Sequence, residues 1–332
     1  MKIGLKDIAE DTGFAISTVS RVLNGSDKIS EGTQEKVLSS AEKLGYKQNS
    51  NGTGSSSDTL NIALVATGFH EGEFYSSFFH GLNKSARQNG VHLFLTAVHD
   101  HETVLLKVLK KISEEFYDGI VLFVPELRGD DYRKIRSVLP SKYPIVSCSL
   151  IENPVFPTVT FDNYSSGFLA ADHLKEQSYR RVGIILGPSE RSESRFRKNG
   201  FIDFIHQQDE MELVWTCNGD FTFEAGVKAF EKFKGAGKKP EAIFASNDSM
   251  AYGFIQSAKK NGYNIPKDVA VIGYDDLPNN EYTHPKISSI RTDFEKLGDA
   301  ALKALVERIQ ETDLKSNLLS LVPVSVSHRE TT

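Results

Sequence analysis

Through the first 47 positions, apolar residues recur at the three- and four-residue spacing of short helices. Leu5, Ile8, Ala9 and Thr12 fall on one side of two helical turns, and Gly13 then supplies the backbone freedom of a tight turn. A second helix, Ser17 to Leu23, turns Val19, Val22 and Leu23 inward and stops at Asn24-Gly25. A third runs from Ser30, an expected N-cap, through Val37, Leu38, Ala41 and Leu44 to Gly45. Two short helices joined across a glycine turn and backed by a third predict a helix-turn-helix. That plan places its second helix in the DNA major groove.

A polar run, Asn49-Ser50-Asn51-Gly52-Thr53-Gly54-Ser55-Ser56-Ser57, breaks the pattern and has the composition of a linker. From Leu60 the text changes to strands alternating with helices. Leu60 to Ala66 is a near-continuous apolar run, as a strand buried on both faces requires. A helix from Phe78 to Gln88 follows, then strands at Val91–Ala97, Gly119–Val124, Ile145–Ser149 and Thr158–Phe161. The rhythm restarts with a strand at Val182–Leu186 and a helix at Ser194–Gln207. Strands at Ala242–Ala245 and Val269–Gly273 flank a helix at Ser249–Asn261. Two successive runs of βα units predict two α/β parallel-sheet subdomains, with a ligand site outside the carboxyl ends of the strands, in the cleft between the halves.

Composition narrows the class without choosing a function. At 332 residues with 39% hydrophobic and 25% charged positions, the chain is long enough to bury its own cores, which excludes disulfide scaffolds and largely disordered chains. The two cysteines, Cys148 and Cys217, are far apart and are expected to be reduced, buried thiols. No apolar leader follows Met1, and no stretch approaches the ~20 apolar residues of a membrane span, so a cytoplasmic protein without membrane attachment is expected. The net charge of −5 does not advertise nucleic-acid binding, although a basic face can hide inside an acidic average.

Three blocks then become specific: Leu5-Lys6-Asp7-Ile8-Ala9, Ser17-Thr18-Val19-Ser20-Arg21-Val22-Leu23-Asn24 and Glu42-Lys43-Leu44-Gly45-Tyr46. In sequence and spacing they resemble the DNA-binding headpiece of the LacI/GalR family of bacterial transcription regulators. The resemblance implies base-reading positions at Ile16, Ser17 and Arg21. Arg21 suits a bidentate contact to a guanine edge, Ser17 pairs with either partner, and Ile16 offers an apolar contact for a thymine methyl. Lys6, Thr18, Ser20 and Asn24 are assigned to the phosphates.

The chain departs from that family in three ways, two in the headpiece and one in the linker. Ala15 stands where the family usually has Ser, so the recognition helix lacks a typical N-cap, a loss of about 1 kcal/mol. The headpiece also carries no net charge, because Lys2, Lys6, Arg21, Lys28, Lys36, Lys43 and Lys47 balance Asp7, Glu10, Asp11, Asp27, Glu31, Glu35 and Glu42. Counterion release then contributes modestly to DNA affinity. The family's hinge helix, with a Leu wedge for the minor groove, would fall on Gln48 to Thr59, which has neither Leu nor Arg. Gly52 and Gly54 each disfavour a helix by about 1 kcal/mol relative to Ala. A weak or absent hinge helix is expected.

The resemblance continues through Phe161-Asp162-Asn163, Arg197, Gly200-Phe201, Asn247-Asp248-Ser249-Met250-Ala251 and Ile272-Gly273-Tyr274-Asp275-Asp276. It implies a periplasmic-binding-protein-like fold for residues 60–332. One subdomain is expected at 60–161 with about 291–316, the other at 162–290 with about 317–332. Residues 1–47 form the headpiece and 48–59 the linker. Effector positions fall on Phe74, Tyr75, Asp162, Arg197, Phe221, Asn247 and Asp275. Carboxylates accept from hydroxyls, a guanidinium donates in a fixed fork, and aromatic faces cover a pyranose or a base. Helix capping at Asn247 and Asp275, and a surface ion pair at Arg197, are the bland alternatives. Phe156 and Trp215 are expected to be packing residues.

Other signals carry little. His99-Asp100-His101-Glu102 is a loop of adjacent residues with poor geometry for one cation. Gly235-Ala236-Gly237-Lys238-Lys239 precedes a strand and lacks the Ser/Thr of a phosphate loop. No nucleophile–base pair is recognisable, so neither an enzyme nor a cofactor is expected. The reading is a homodimeric repressor of a carbohydrate-metabolism operon, bound to a palindromic operator and controlled by a small sugar-like effector. The alternatives are a nucleoside- or purine-responsive regulator, or a sugar-binding module with a decoupled headpiece.

Overall fold

The computed structural model describes residues 3–23, 25–26, 29–46, 59–67, 73–100, 102–115, 117–149, 153–310 and 319–332. Three helices come first: α1 (Leu5–Thr12), α2 (Ile16–Leu23) and α3 (Glu31–Leu44). The first βα series is β1 (Leu60–Ala66), α4 (Glu73–Gln88), β2 (Val91–Ala97), α5 (Leu105–Glu114), β3 (Gly119–Phe123), α6 (Gly129–Val138), β4 (Ile145–Ser147) and β5 (Thr158–Phe161). The second is α7 (Asn163–Glu176), β6 (Arg181–Leu186), α8 (Ser192–His206), β7 (Glu212–Asn218), α9 (Phe223–Lys234), β8 (Ala242–Ala245), α10 (Asp248–Lys260) and β9 (Ala270–Asp275). A 3-10 turn at Pro278–Glu281, β10 (Ser288–Arg291), α11 (Phe294–Gln310), β11 (Leu319–Val322) and β12 (Ser325–Ser327) complete the chain.

Contacts divide these elements into two compact units, one of residues 1–160 with 294–320 and one of residues 161–293 with 321–332. Unit 1 contains the headpiece and a six-stranded sheet ordered β11-β5-β4-β3-β1-β2; unit 2 contains a second, ordered β12-β10-β9-β8-β6-β7. β1 pairs in parallel with β2 and β3, and β6 does so with β7 and β8. The central strands are apolar throughout because helices cover both faces: Ile62 to Ala66, Ile120 to Leu122 and Ala270 to Ile272 are all buried completely.

The headpiece has its own core of Ile8, Ala9, Phe14, Val19, Val22, Ile29, Val37 and Ala41. Gly13 adopts φ +73°, which turns the chain from α1 into α2 at little steric cost. Ser30 does not cap α3 as the sequence suggests: its Oγ faces Thr33 Oγ1 at 3.0 Å and makes no bond to the first-turn amides. α4 begins five residues earlier than the apolar pattern indicates, so Phe74 and Tyr75 lie in its first turn. The linker and hinge positions 48–58, together with Asn24, lie outside the described residues.

In unit 2, α7 and α8 approach closely enough that a Cβ on Gly167 would overlap the Arg197 carbonyl oxygen. A Cβ on Gly200 would overlap that of Tyr164. This contact between glycine faces seats α8, and with it Arg197, against the sheet.

Candidate nucleic-acid interface and effector site

α2 carries the residues assigned to base reading, and their surroundings are specific. Ser17 Oγ donates to the Tyr117 carbonyl at 3.0 Å, and Arg21 Nη2 donates to the Thr59 carbonyl at 2.9 Å. Arg21 Nη1 also forms an ion pair with the completely buried Asp118 carboxylate. Asp118 Oδ2 in turn accepts the Asn61 amide at 2.7 Å. Ala15 joins the apolar core formed by Ala63, Ile120 and Ile145. Ile16 and Ser20 are half-buried and Thr18 is buried. Lys6 is exposed and reaches Glu114 at 3.6 Å. The face of α2 assigned to base reading is therefore docked on the sheet subdomain of its own unit, a contact no sequence pattern announces.

Five of the expected effector residues lie in unit 2, near the carboxyl ends of β6 to β9 and the start of α7. Arg197 is buried, which removes the surface-ion-pair alternative. Its Nε donates to Asn163 Oδ1 at 2.8 Å and its Nη1 to the Ser246 carbonyl at 2.6 Å. The guanidinium carbon stands 3.5 Å from the Tyr274 ring centroid and 5.5 Å from that of Phe221. Arg191 approaches Phe221 as well, at 5.8 Å.

Asp275 is buried, and its Oδ1 has no hydrogen-bond partner. Burial pushes its carboxyl well above the usual range; the Arg197 charge opposes that and Asp248 adds to it. Asp275 at φ 114° and Phe221 at φ 71° both sit in left-handed backbone. Such conformations cost on the order of 1–3 kcal/mol each and concentrate at ligand sites.

The other two carboxylate and amide positions are engaged locally. Asp162 is the N-cap of α7 and accepts from the Ser165 amide at 2.9 Å and the Ser165 hydroxyl at 2.6 Å. Asn247 caps α10 through the Met250 amide at 3.0 Å, and its Nδ2 donates to the Phe221 carbonyl at 2.8 Å. Asn247 thus fixes the aromatic residue it was grouped with. Sequence reasoning passed over Tyr274, Asn163 and Arg191 as site residues. The first two sit inside blocks that carried the resemblance, whereas Arg191 had no signal.

In unit 1, Phe74 and Tyr75 belong to an aromatic group. Phe74 lies edge-on to Tyr75 at 5.4 Å and to Phe294 at 5.4 Å, stacks with Phe78 at 6.3 Å, and meets Phe123 at 5.8 Å. Phe156 is completely buried in the unit 1 core and Trp215 packs against the unit 2 core. His101 lies outside the described residues, and no metal-holding group of His, Cys, Asp or Glu occurs among those described. Among the described residues, no helix is long and apolar enough to cross a membrane.

A helix-turn-helix followed by two periplasmic-binding-protein-like units defines the class of DNA-binding regulators under small-molecule control. Comparison with known proteins supports this class. Residues 4–49 match the model of bacterial regulatory proteins of the lacI family, and residues 171–332 match a periplasmic binding protein-like domain. The chain is 26% identical to the HTH-type transcriptional repressor PurR of Mannheimia succiniciproducens over 322 residues, 96% of each chain. It superposes on the lac repressor dimer bound to operator and the anti-inducer ONPF with a TM-score of 0.75 at 22% identity, covering 100% of this chain and 99% of that one. It superposes on a complex of the transcriptional regulator CelR with cellobiose with a TM-score of 0.72 at 25% identity, covering 99% and 100%. Its headpiece is thus of the lacI type, and along nearly its whole length the chain is similar to LacI-family transcriptional repressors.

Proposed function

We propose that this regulator is a cytoplasmic homodimer that represses a carbohydrate-metabolism operon from a palindromic operator, and that a small sugar-like effector sets its operator affinity. The observation that carries the effector class is the pairing of the buried, unpartnered Asp275 Oδ1 with the Arg197 fork between the Tyr274 and Phe221 rings. A hydroxyl that donates to Asp275 and accepts from Arg197 suits this set, and the rings cover the apolar side of a pyranose. The likeness to a regulator solved with cellobiose agrees. The aromatic group around Phe74 favours a second reading, a nucleoside or purine effector, because a base stacks on such a face.

Base reading is assigned to Ile16, Ser17 and Arg21, with Lys6, Thr18, Ser20 and Asn24 on the phosphates. The homodimer reading draws on β2, an edge strand that exposes Phe94 and Leu95. Selection of genomic fragments by the full-length protein, with and without a panel of monosaccharides and nucleosides, tests the whole. Recovery of a palindrome whose retention responds to a sugar is the expected result. Response to a nucleoside alone selects the second reading, and recovery of no site under any condition leaves a sugar-binding module with a decoupled headpiece. Arg21→Ala is expected to weaken the recovered complex by roughly 5- to 150-fold, the loss of a bidentate guanine contact.

A further inference from the structure

We propose that the surface formed by Tyr117, Asp118, Ser141 and Lys142 is an internal docking site for the recognition helix, so that the chain competes with DNA for Arg21 and Ser17. The inference rests on the assignment of α2 to base reading.

The docking contact is built. Asp118 immediately precedes β3 with no exposed side-chain surface, holds the Asn61 amide at 2.7 Å and takes Arg21 as its charge partner. A buried carboxylate deprived of its cation is strongly unfavourable, which ties the headpiece to the sheet subdomain. Around this pair the fit is close. The Lys142 amide donates to the Gly13 carbonyl at 3.1 Å, and the Lys142 ammonium stands 5.0 Å from the Phe14 ring centroid. The Tyr117 carbonyl accepts from both Ser17, at 3.0 Å, and the Tyr143 hydroxyl, at 3.2 Å.

Docking and base reading use the same atoms. A guanidinium whose two terminal nitrogens are engaged by Asp118 and the Thr59 carbonyl does not present its fork to a guanine edge. Asp118 and Glu114 present to Arg21 and Lys6 the negative charge that DNA would otherwise supply. The headpiece has no net charge with which to overcome this competition by counterion release. Asn61 and Asp118 stand at the amino ends of β1 and β3, and β3 ends at Phe123, which packs against Phe74. β3 thus runs from the docking site to the aromatic group.

Two variants release the helix by different means. Asp118→Asn removes the charge while keeping the shape that holds Asn61. Ser141→Trp places bulk on an exposed turn where the Ser141 hydroxyl abuts Gly13. Amide hydrogen exchange of residues 16–23 in the full-length protein without DNA reads docking. The Kd for a short labelled duplex, carrying the palindrome from genomic selection or otherwise random sequence, reads competition. Both variants are expected to speed exchange in α2. They should also tighten DNA binding about tenfold if the helix is docked in roughly nine molecules of ten, because the apparent Kd scales inversely with the competent fraction. Unchanged exchange in both variants overturns the docking. Faster exchange with no gain in DNA affinity overturns the competition. Faster exchange with no DNA binding in any form sinks the assignment of α2 to base reading, leaving the docking contact without that role.

Discussion

The Arg197 guanidinium lies over the Tyr274 ring, 3.5 Å from its centroid, while its Nε and Nη1 are held by Asn163 and the Ser246 carbonyl. Stacking and hydrogen bonding together leave the fork one orientation. Asp275 follows Tyr274 directly, so the residue that stacks on the arginine also sets the position of the buried carboxylate beside it. The orientation of both groups is thus fixed by protein contacts alone.

Arg197→Lys retains the charge but neither the fork nor the planar stack. Effector affinity is expected to fall roughly ten- to hundredfold, in line with loss of hydrogen bonds to a charged group. DNA affinity without effector should stay unchanged. Titration calorimetry with the effector found by selection, alongside fluorescence anisotropy on DNA, separates the two. A variant that still responds to effector at wild-type concentrations places the pocket elsewhere.

Asp162 is engaged with the first turn of α7 through Ser165, which argues that its role is the cap. Asp162→Ala is expected to destabilise unit 2 by about 1 kcal/mol, the usual value of an N-cap. Asp162→Asn should recover most of that loss. Denaturant midpoints and effector affinity measured on both variants decide the matter, because a direct ligand role would depress affinity in the asparagine variant while stability recovered.

β2 closes one edge of its sheet and exposes Phe94 and Leu95, at 36% and 38%. An open strand edge bearing large apolar side chains is a surface that proteins usually cover. Leu95→Lys is expected to shift sedimentation equilibrium towards monomer and to weaken binding to a two-half-site operator far more than to a single half-site. A variant that stays dimeric would remove this edge from the interface.

The central strands were legible because burial on both faces leaves no choice but apolar residues, as in Ile62 to Ala66 and Ile120 to Leu122. Helix α7 was not, because most of its buried positions are small or polar, Asn163, Ser166, Gly167, Ala170, Ala171 and His173, and only Leu174 is a large apolar residue. In the proposed effector site, Arg197 and Asp275 were singled out through the blocks that resemble the family. Tyr274 sat unremarked beside them because a tyrosine in a core strand reads as packing. The Arg21–Asp118 pair was invisible for a different reason: both residues are polar, lie almost a hundred positions apart, and each makes sense alone.

His173 offers a pH-dependent measure of unit 2. It is buried in α7, its Nε2 lies 2.8 Å from Thr332 Oγ1, and its ring stands 5.0 Å from that of His328. Burial first, and the neighbouring His328 second, hold its pKa down to about 4, against 6.5 for a free imidazole. As pH falls below 6.5, the unfolded chain takes up a proton that the folded chain refuses, so the contribution to stability is full above 6.5. It is lost between there and pH 4. At about 1.4 kcal/mol per pKa unit, that loss amounts to at most about 3.5 kcal/mol. His173→Gln keeps a polar partner for Thr332 without a titrating group. The wild type is expected to lose more of its denaturant midpoint than this variant between pH 7 and pH 4.5, and parallel losses would show that His173 is not the group being protonated.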